Sequence, residues 1–228
     1  MGARGNSGII FAQFLYGFSK DIQDKPTMTI KEFAGNMKIA SECAYYALAK
    51  PKEGTIISVI KDWANNINEN CDNTDDFTTL LLNGLNVAME SLKETGKFIA
   101  AKAKTIVDAG AKGFVVFLEG MCEYFHNGGQ TVQVANAEII DSEWLGEDNH
   151  EVITFRYCTE ALLIGENLER EKLASLIEEM GDCMVIAGSK TKMRLHIHTD
   201  QPWIVLEKVQ TIGRVVYQKV EDMVMQHD

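Results

Sequence analysis

The sequence predicts a two-domain α + α/β protein. An antiparallel helical bundle or barrel comes first, and a ferredoxin-like βαββαβ domain follows. Three observations predict this order. Apolar residues recur at helical spacing from Ile9 to about His126. From Val152 the period becomes alternating, as in half-buried strands. Between the two lies a break at Asn127-Gly128-Gly129-Gln130. The expected boundaries are 1–126 for a helical nucleotide-binding domain, 127–150 for a linker with one short strand, and 151–228 for an α/β domain.

The composition narrows the function classes. The chain has 228 residues, 46% hydrophobic and 24% charged, which suits one large or two small folded domains. A net charge of -11 argues against nucleic-acid backbone binding, although a local phosphate site needs only local donors. The 5 cysteines, Cys43, Cys71, Cys122, Cys158 and Cys183, are scattered and form no CxxC pair. That pattern suits a reducing cytoplasm better than a disulfide framework. No apolar run reaches membrane-spanning length.

Gly2-Ala-Arg-Gly-Asn-Ser-Gly8 reads as a glycine-rich loop feeding a helix through Ile9, Ile10, Gln13, Phe14, Gly17 and Phe18. Unpaired N–H groups and the dipole at a helix start favour an anion, most simply a phosphate. Asn6 and Ser7 can add hydrogen bonds, and Arg4 a charge. The competing reading is a plain helix start with Ser7 as N-cap. The stretch is not a P-loop, since no Gly-Lys-Ser/Thr follows, and no strand precedes it as in a dinucleotide fingerprint.

A turn at Asp24-Lys25-Pro26 precedes the capping box Thr29-Ile-Lys-Glu32. Its helix is expected to reach about Ala49, with Phe33, Met37, Ala40, Ala44 and Leu48 on one face. Thr55 caps the next helix, through Ile56, Ile60 and Trp63. Asn65 to Asp76 is polar and predicts a loop ending in a cap. Phe77 to Lys93 is a further amphipathic helix. Thr105 to Gly113 predicts a second glycine-bearing loop before a helix over Phe114–His126.

In the second half, Val152–Ile164 predicts a strand and Glu169–Met180 a helix. Cys183–Gly188 and Lys192–Thr199 predict strands joined by Ser189-Lys190-Thr191. Trp203–Ile212 predicts a helix and Val215–Val220 a last strand. In the ferredoxin-like order the first and third strands are central neighbours. Alternation puts Arg194, His196 and His198 on one face and Met193, Leu195 and Ile197 on the helix-covered one. Arg156, Cys158 and Glu160 fall together on the neighbouring strand. Cys158, His196 and His198 would then meet on an open face. They suit a zinc-type ion, with Glu160, Asp200, water or a substrate in the fourth place. A polar sheet face is the alternative. The remaining cysteines read as core or helix-face residues.

Gly2–Gly8, Tyr45-Tyr-Ala-Leu-Ala-Lys-Pro-Lys-Glu-Gly-Thr55 and Val107-Asp-Ala-Gly-Ala-Lys-Gly113 resemble, in order, the nucleotide-site segments of dihydroxyacetone kinase L-subunit-like domains. The pattern is most similar to the ATP-binding subunits of bacterial fatty acid kinases. Where that family has two adjacent glycines, this chain has Gly110-Ala111. Tyr157-Cys-Thr-Glu160 and His196-Ile-His-Thr-Asp200 resemble the same family's middle domain.

The resemblance implies an ATP site at Gly5, Asn6, Ser7, Gly8, Thr55, Ile56, Asp108 and Gly110, with Thr55 by the phosphates and Ile56 by the base. It implicates Cys158, His196 and His198 in a metal or catalytic site, with zinc as the candidate ion. The implied reaction phosphorylates a fatty acyl carboxylate presented by a separate fatty-acid-binding protein, with a homodimer expected. The family's magnesium-binding aspartates lie upstream of the Gly2 loop, and its members continue into a further domain at the other end. The chain is therefore expected to be cut at both ends and inactive alone. The alternatives are a dihydroxyacetone kinase-like subunit for a small ketose, and a non-catalytic metal-dependent assembly module.

Overall fold

The computed structural model describes residues 5–22, 26–48, 51–99, 107–129 and 154–225. The turn at Asp24-Lys25, the linker strand and the first residues of the expected strand from Val152 lie outside them. The chain divides into two compact units. One comprises Phe11–Tyr45 and Lys52–Asn149; the other comprises Met1–Ile10, Tyr46–Pro51 and His150–Asp228.

The first unit is helical. It is built from α1 (Gly5–Ser19, from Phe11 onward), α2 (Ile30–Tyr46), α3 (Ile56–Asn70), α4 (Phe77–Ile99) and α5 (Ala109–His126). Trp63 of α3 is 1% exposed and meets Phe14 of α1 at 6.1 Å and Phe114 of α5 at 5.9 Å, both edge to face. Phe33 of α2 meets the same indole at 6.4 Å. Four helices thus converge on one aromatic centre. A Cβ at Gly17 would lie 2.8 Å from both Ala40 Cα and Cys43 Cβ, so the close approach of α1 to α2 requires glycine there.

The capping box on α2 forms as the sequence predicts. Thr29 N–H donates to Glu32 Oε2 at 2.9 Å, and Glu32 N–H donates to Thr29 Oγ1 at 3.2 Å. The helix stops at Tyr46, short of the expected Ala49, and Leu48 leaves the helix face altogether. It forms an antiparallel bridge with Val185 of the second unit's sheet. The polar run from Asn65 also differs from expectation, because α3 continues through it to Asn70. Ile67 is fully buried, and the Asn68 amide donates to Ala34 O at 2.9 Å and Ala64 O at 3.0 Å. Packing and side-chain bonding override the low helix propensity of asparagine. The remaining loop ends at Asp76, which accepts from Thr78 N–H at 3.0 Å at the start of α4.

The second unit holds β1 (Tyr157–Ile164), α6 (Arg170–Ile177), β2 (Asp182–Ser189), β3 (Lys192–Thr199), α7 (Pro202–Gln210) and β4 (Arg214–Asp222). The sheet is antiparallel in the order β2-β3-β1-β4, the ferredoxin-like arrangement. Ala161, Leu163, Leu195 and Ile197 are fully buried with Leu173, Ile177, Val205 and Val209 of the two helices. The alternation read from β1 and β3 therefore assigns the helix-covered face correctly.

The opposite face is not open, as the sequence reading had it. Val185 and Ala187 of β2 are buried with Ile9 and Ala47. Ala47 O accepts from Ile186 N–H at 3.1 Å, and the Arg170 guanidinium donates to Leu48 O at 3.0 Å and Ile186 O at 3.2 Å. These contacts cover the outer edge of β2, which an unpaired edge strand would otherwise expose.

Candidate functional site

Two groups of candidate residues come into view, one at the starts of helices and one on the sheet. In the helical unit the starts of α3 and α5 are tied through Asp108. Its carboxylate Oδ1 accepts from Ala111 N–H at 2.7 Å, as N-cap of α5. The same oxygen accepts from Ile56 N–H at 3.1 Å, in the first turn of α3. Asp108 N–H in turn donates to Thr95 Oγ1 at 3.0 Å, and Thr95 is 1% exposed. Thr55, Ile56, Asp108 and Gly110 are thereby brought together.

Two local expectations change. Gly110 and Gly113 lie within α5, which starts at Ala109 rather than Phe114. Thr55 caps α3 through its backbone carbonyl, which accepts from Ser58 N–H at 2.9 Å. Its hydroxyl points back to Lys52 O, also at 2.9 Å.

Gly5, Asn6, Ser7 and Gly8 form the first turn of α1. Ser7 is therefore not an N-cap, and Asn6-Ser7-Gly8 is helix rather than loop. The opening N–H groups of a helix have no partner within it. Asn6 Oδ1 is buried and takes no hydrogen bond among the described residues. A Cβ built at Gly8 would meet nothing within 4 Å, so space opens beside this turn.

In the α/β unit the register of β1 on β3 pairs Cys158 with His198 and Glu160 with His196. The donor atoms of Cys158, His196 and His198 all lie within 4.8 Å of one another. Cys158 Sγ is 3.8 Å from His196 Nδ1, and the two imidazole centroids are 5.0 Å apart. A tetrahedral zinc-type ion, at about 2.3 Å from sulfur and about 2.0 Å from nitrogen, sets its ligand atoms at a comparable spacing. His196 is 2% exposed, and its Nε2 has no hydrogen-bond partner among the described residues.

The surroundings are polar but buried. Glu160 Oε1 lies 3.6 Å from His196 Nδ1, and Glu160 Oε2 lies 3.8 Å from the Arg194 guanidinium. Burial pushes the Cys158 thiol up to about 11, with the Glu160 and Glu221 carboxylates adding to it and Lys219 opposing. Without a metal the sulfur is a neutral thiol at pH 7. Asp200, one of the possible fourth ligands, instead accepts from Arg156 N–H at 2.8 Å and holds the chain ahead of β1.

The sequence reading placed Cys183 among core or helix-face cysteines. It is an exposed strand residue in a second donor group, Asp182, Cys183 and His198, whose ligand atoms also lie within 4.8 Å of one another. No alternation pattern announces it, because β2 is irregular there.

A helical unit with helix-start groups suited to an anion, and a ferredoxin-like unit with a thiol–imidazole cluster, define the class of protein. Residues 1–123 match the DAK2 domain, and residues 154–228 match the FakA-like middle domain of fatty acid kinases. The chain belongs to the FakA-like fatty acid kinase family. Its relatives include an uncharacterized protein of Staphylococcus epidermidis, 33% identical over the whole chain, and one of Staphylococcus saprophyticus, 31% identical over the whole chain. An uncharacterized protein of Staphylococcus aureus is 33% identical, again over the whole chain. The chain spans 43% of the length of each of these relatives. Among the described residues no helix is long and apolar enough to cross a membrane.

Proposed function

We propose that the chain is the ATP-handling part of a phosphotransferase that phosphorylates a fatty acyl carboxylate. A separate fatty-acid-binding protein presents that carboxylate, and the phosphotransferase works as a homodimer. The observation that carries the nucleotide assignment is the first turn of α1. Gly5, Asn6, Ser7 and Gly8 offer backbone donors, an unsatisfied buried amide and open space beside Gly8. Thr55, Ile56 and Gly110 are the further nucleotide-contact residues. Asp108 supports them by fixing the starts of α3 and α5, since a carboxylate holding two N–H groups is a poor phosphate ligand.

Magnesium would neutralise phosphate charge during transfer. The described acidic residues of the helical unit that were candidates do not fit it. Asp72 pairs with Lys31 at 2.6 Å, Asp76 caps α4, and Asp108 is the clamp. No ligand for magnesium is proposed among them. Titration calorimetry with ATP, with and without magnesium, tests the reading. Weak binding that changes little with magnesium, and no turnover by this chain alone, is expected. No ATP binding, or robust ATP hydrolysis, overturns it.

A second reading concerns the α/β unit and is favoured by the convergence of Cys158, His196 and His198. These residues hold one zinc-type ion, which supplies a fixed charge linking β1 to β3 and shapes this face as an assembly surface. Elemental analysis of protein purified without a His-tag tests it. One ion per chain is expected, and none after zinc addition refutes the site.

A further inference from the structure

His198 stands between two donor pairs of different exposure. On one side are Cys158 and the buried His196. On the other are Asp182, whose side chain is 43% exposed, and the exposed Cys183. His198 itself is 20% exposed, with Nδ1 3.7 Å from Asp182 Oδ1.

The outer pair is held against His198 by the local fold. β2 pairs Asp182 with His198 and then Val185 with His196, so three steps along β2 match two along β3. A bulge of this kind re-aims a side chain. Cys183 sits in it at φ 51. Gly181 allows the approach, because a Cβ there would lie 1.9 Å from the His198 carbonyl oxygen. Thr199 Oγ1 donates to Met180 O at 2.7 Å and fastens the segment to the end of β3.

We propose that Asp182, Cys183 and His198 form a loading position for a zinc-type ion, from which the ion passes to Cys158 and His196 with His198 as the ligand common to both. The proposal rests on the reading of Cys158, His196 and His198 as a metal site. Thiolate, imidazole and carboxylate together suit a borderline divalent ion better than magnesium or calcium. Docking releases the Cys183 thiol proton to solvent. Transfer exchanges the Cys183 sulfur and Asp182 oxygen for the Cys158 sulfur and a His196 nitrogen. The Cys158 thiol gives up its proton and the departing Cys183 thiolate takes one, so charge and protons balance with no redox step.

Cobalt(II) serves as the probe, read by its thiolate charge-transfer absorbance in stopped flow on the full chain. In Cys183→Ser the band should reach the wild-type endpoint more slowly, by on the order of tenfold. An equal rate overturns the loading role. The double variant Cys158→Ser/His196→Ala should keep a weaker thiolate band that disappears when Cys183→Ser is added. No band in a double variant with wild-type circular dichroism overturns the outer position, while a wild-type band upholds the inner one. A wild type without any cobalt band defeats both readings together.

Discussion

The two units offer chemistry in different ways. The helical unit presents backbone groups at the starts of helices, and its polar side chains there mostly serve the fold. Asp108 binds two N–H groups, and Thr55 bonds to Lys52 O. The α/β unit presents side chains, aimed by strand parity and register, with Cys158 opposite His198 and His196 opposite Glu160. The contrast predicts different responses to substitution. A side-chain site is lost when one side chain is changed. A backbone site survives most such changes and is lost when its space is filled or its helix starts are displaced.

The largest expected effect is on the metal. Cys158→Ser and His196→Ala should each drop zinc content to background by elemental analysis, while ATP titration of the helical unit is unchanged. Retention of equal metal by both variants would return these residues to a polar interior. The pH dependence has a definite sign. The Cys158 thiol is held up to about 11, so below that pH a bound ion must displace its proton. Affinity should therefore rise with pH and weaken on acidification, by roughly tenfold per unit for one displaced proton.

Next in size is the clamp. Asp108→Ala removes the N-cap of α5 and leaves Ile56 N–H without its acceptor, at a cost of about 2–4 kcal/mol in urea unfolding. Asp108→Asn keeps an oxygen acceptor and should recover much of the loss. ATP binding should fall in the alanine variant and metal content should not. An alanine variant as stable as wild type would remove Asp108 from its role as the tie between α3 and α5.

A smaller effect separates binding from stability in the backbone site. A Cβ at Gly8 meets no protein atom within 4 Å, and alanine favours a helix over glycine by about 1 kcal/mol. Gly8→Ala should leave the fold as stable or slightly more so, yet weaken ATP by filling the space beside the turn. Ser7→Ala should do less than Gly8→Ala, because the Ser7 N–H remains. Tight ATP binding by Gly8→Ala would move the phosphate site elsewhere.

The parts legible in the sequence were those with a strict period or a fixed local pairing. Alternation in Lys192–Thr199 predicts its buried face, and the Thr29–Glu32 box predicts the start of α2. What escaped depends on contacts between distant residues. Nothing local to Asn65–Asn70 says that Ile67 will be buried and Asn68 will bond across to Ala34. Leu48 fits a helical face by spacing, but its place is set by Val185, far along the chain. The buried state of His196 and Glu160 follows from Ile9 and Ala47 lying on the same sheet face as Val185, which strand parity alone cannot show. Cys183 was misread because a bulge breaks the alternation that would have aimed it.

The smallest expected effect tests whether charge at the sheet margin matters beside the buried cluster. Arg156 donates from Nε at 2.8 Å and from its terminal nitrogen at 2.7 Å to Asp222 Oδ2, joining the approach to β1 with the end of β4. The Arg156 bond is the main reason the Asp222 carboxyl lies below its usual range, with Met225 and Val224 N–H groups assisting. A depressed carboxyl stabilises the fold above its unfolded pKa, and that share is lost as pH falls through the folded value. The pair is largely solvated, so its share is small and screened by salt. Asp222→Asn should lower the urea midpoint slightly at pH 7 and low salt, with the difference shrinking in high salt and vanishing in acid. Metal content should stay at the wild-type level, because Asp222 is not among the grouped donors at Cys158, His196 and His198. A midpoint difference that persists in acid would mean that Asp222 acts through packing rather than charge.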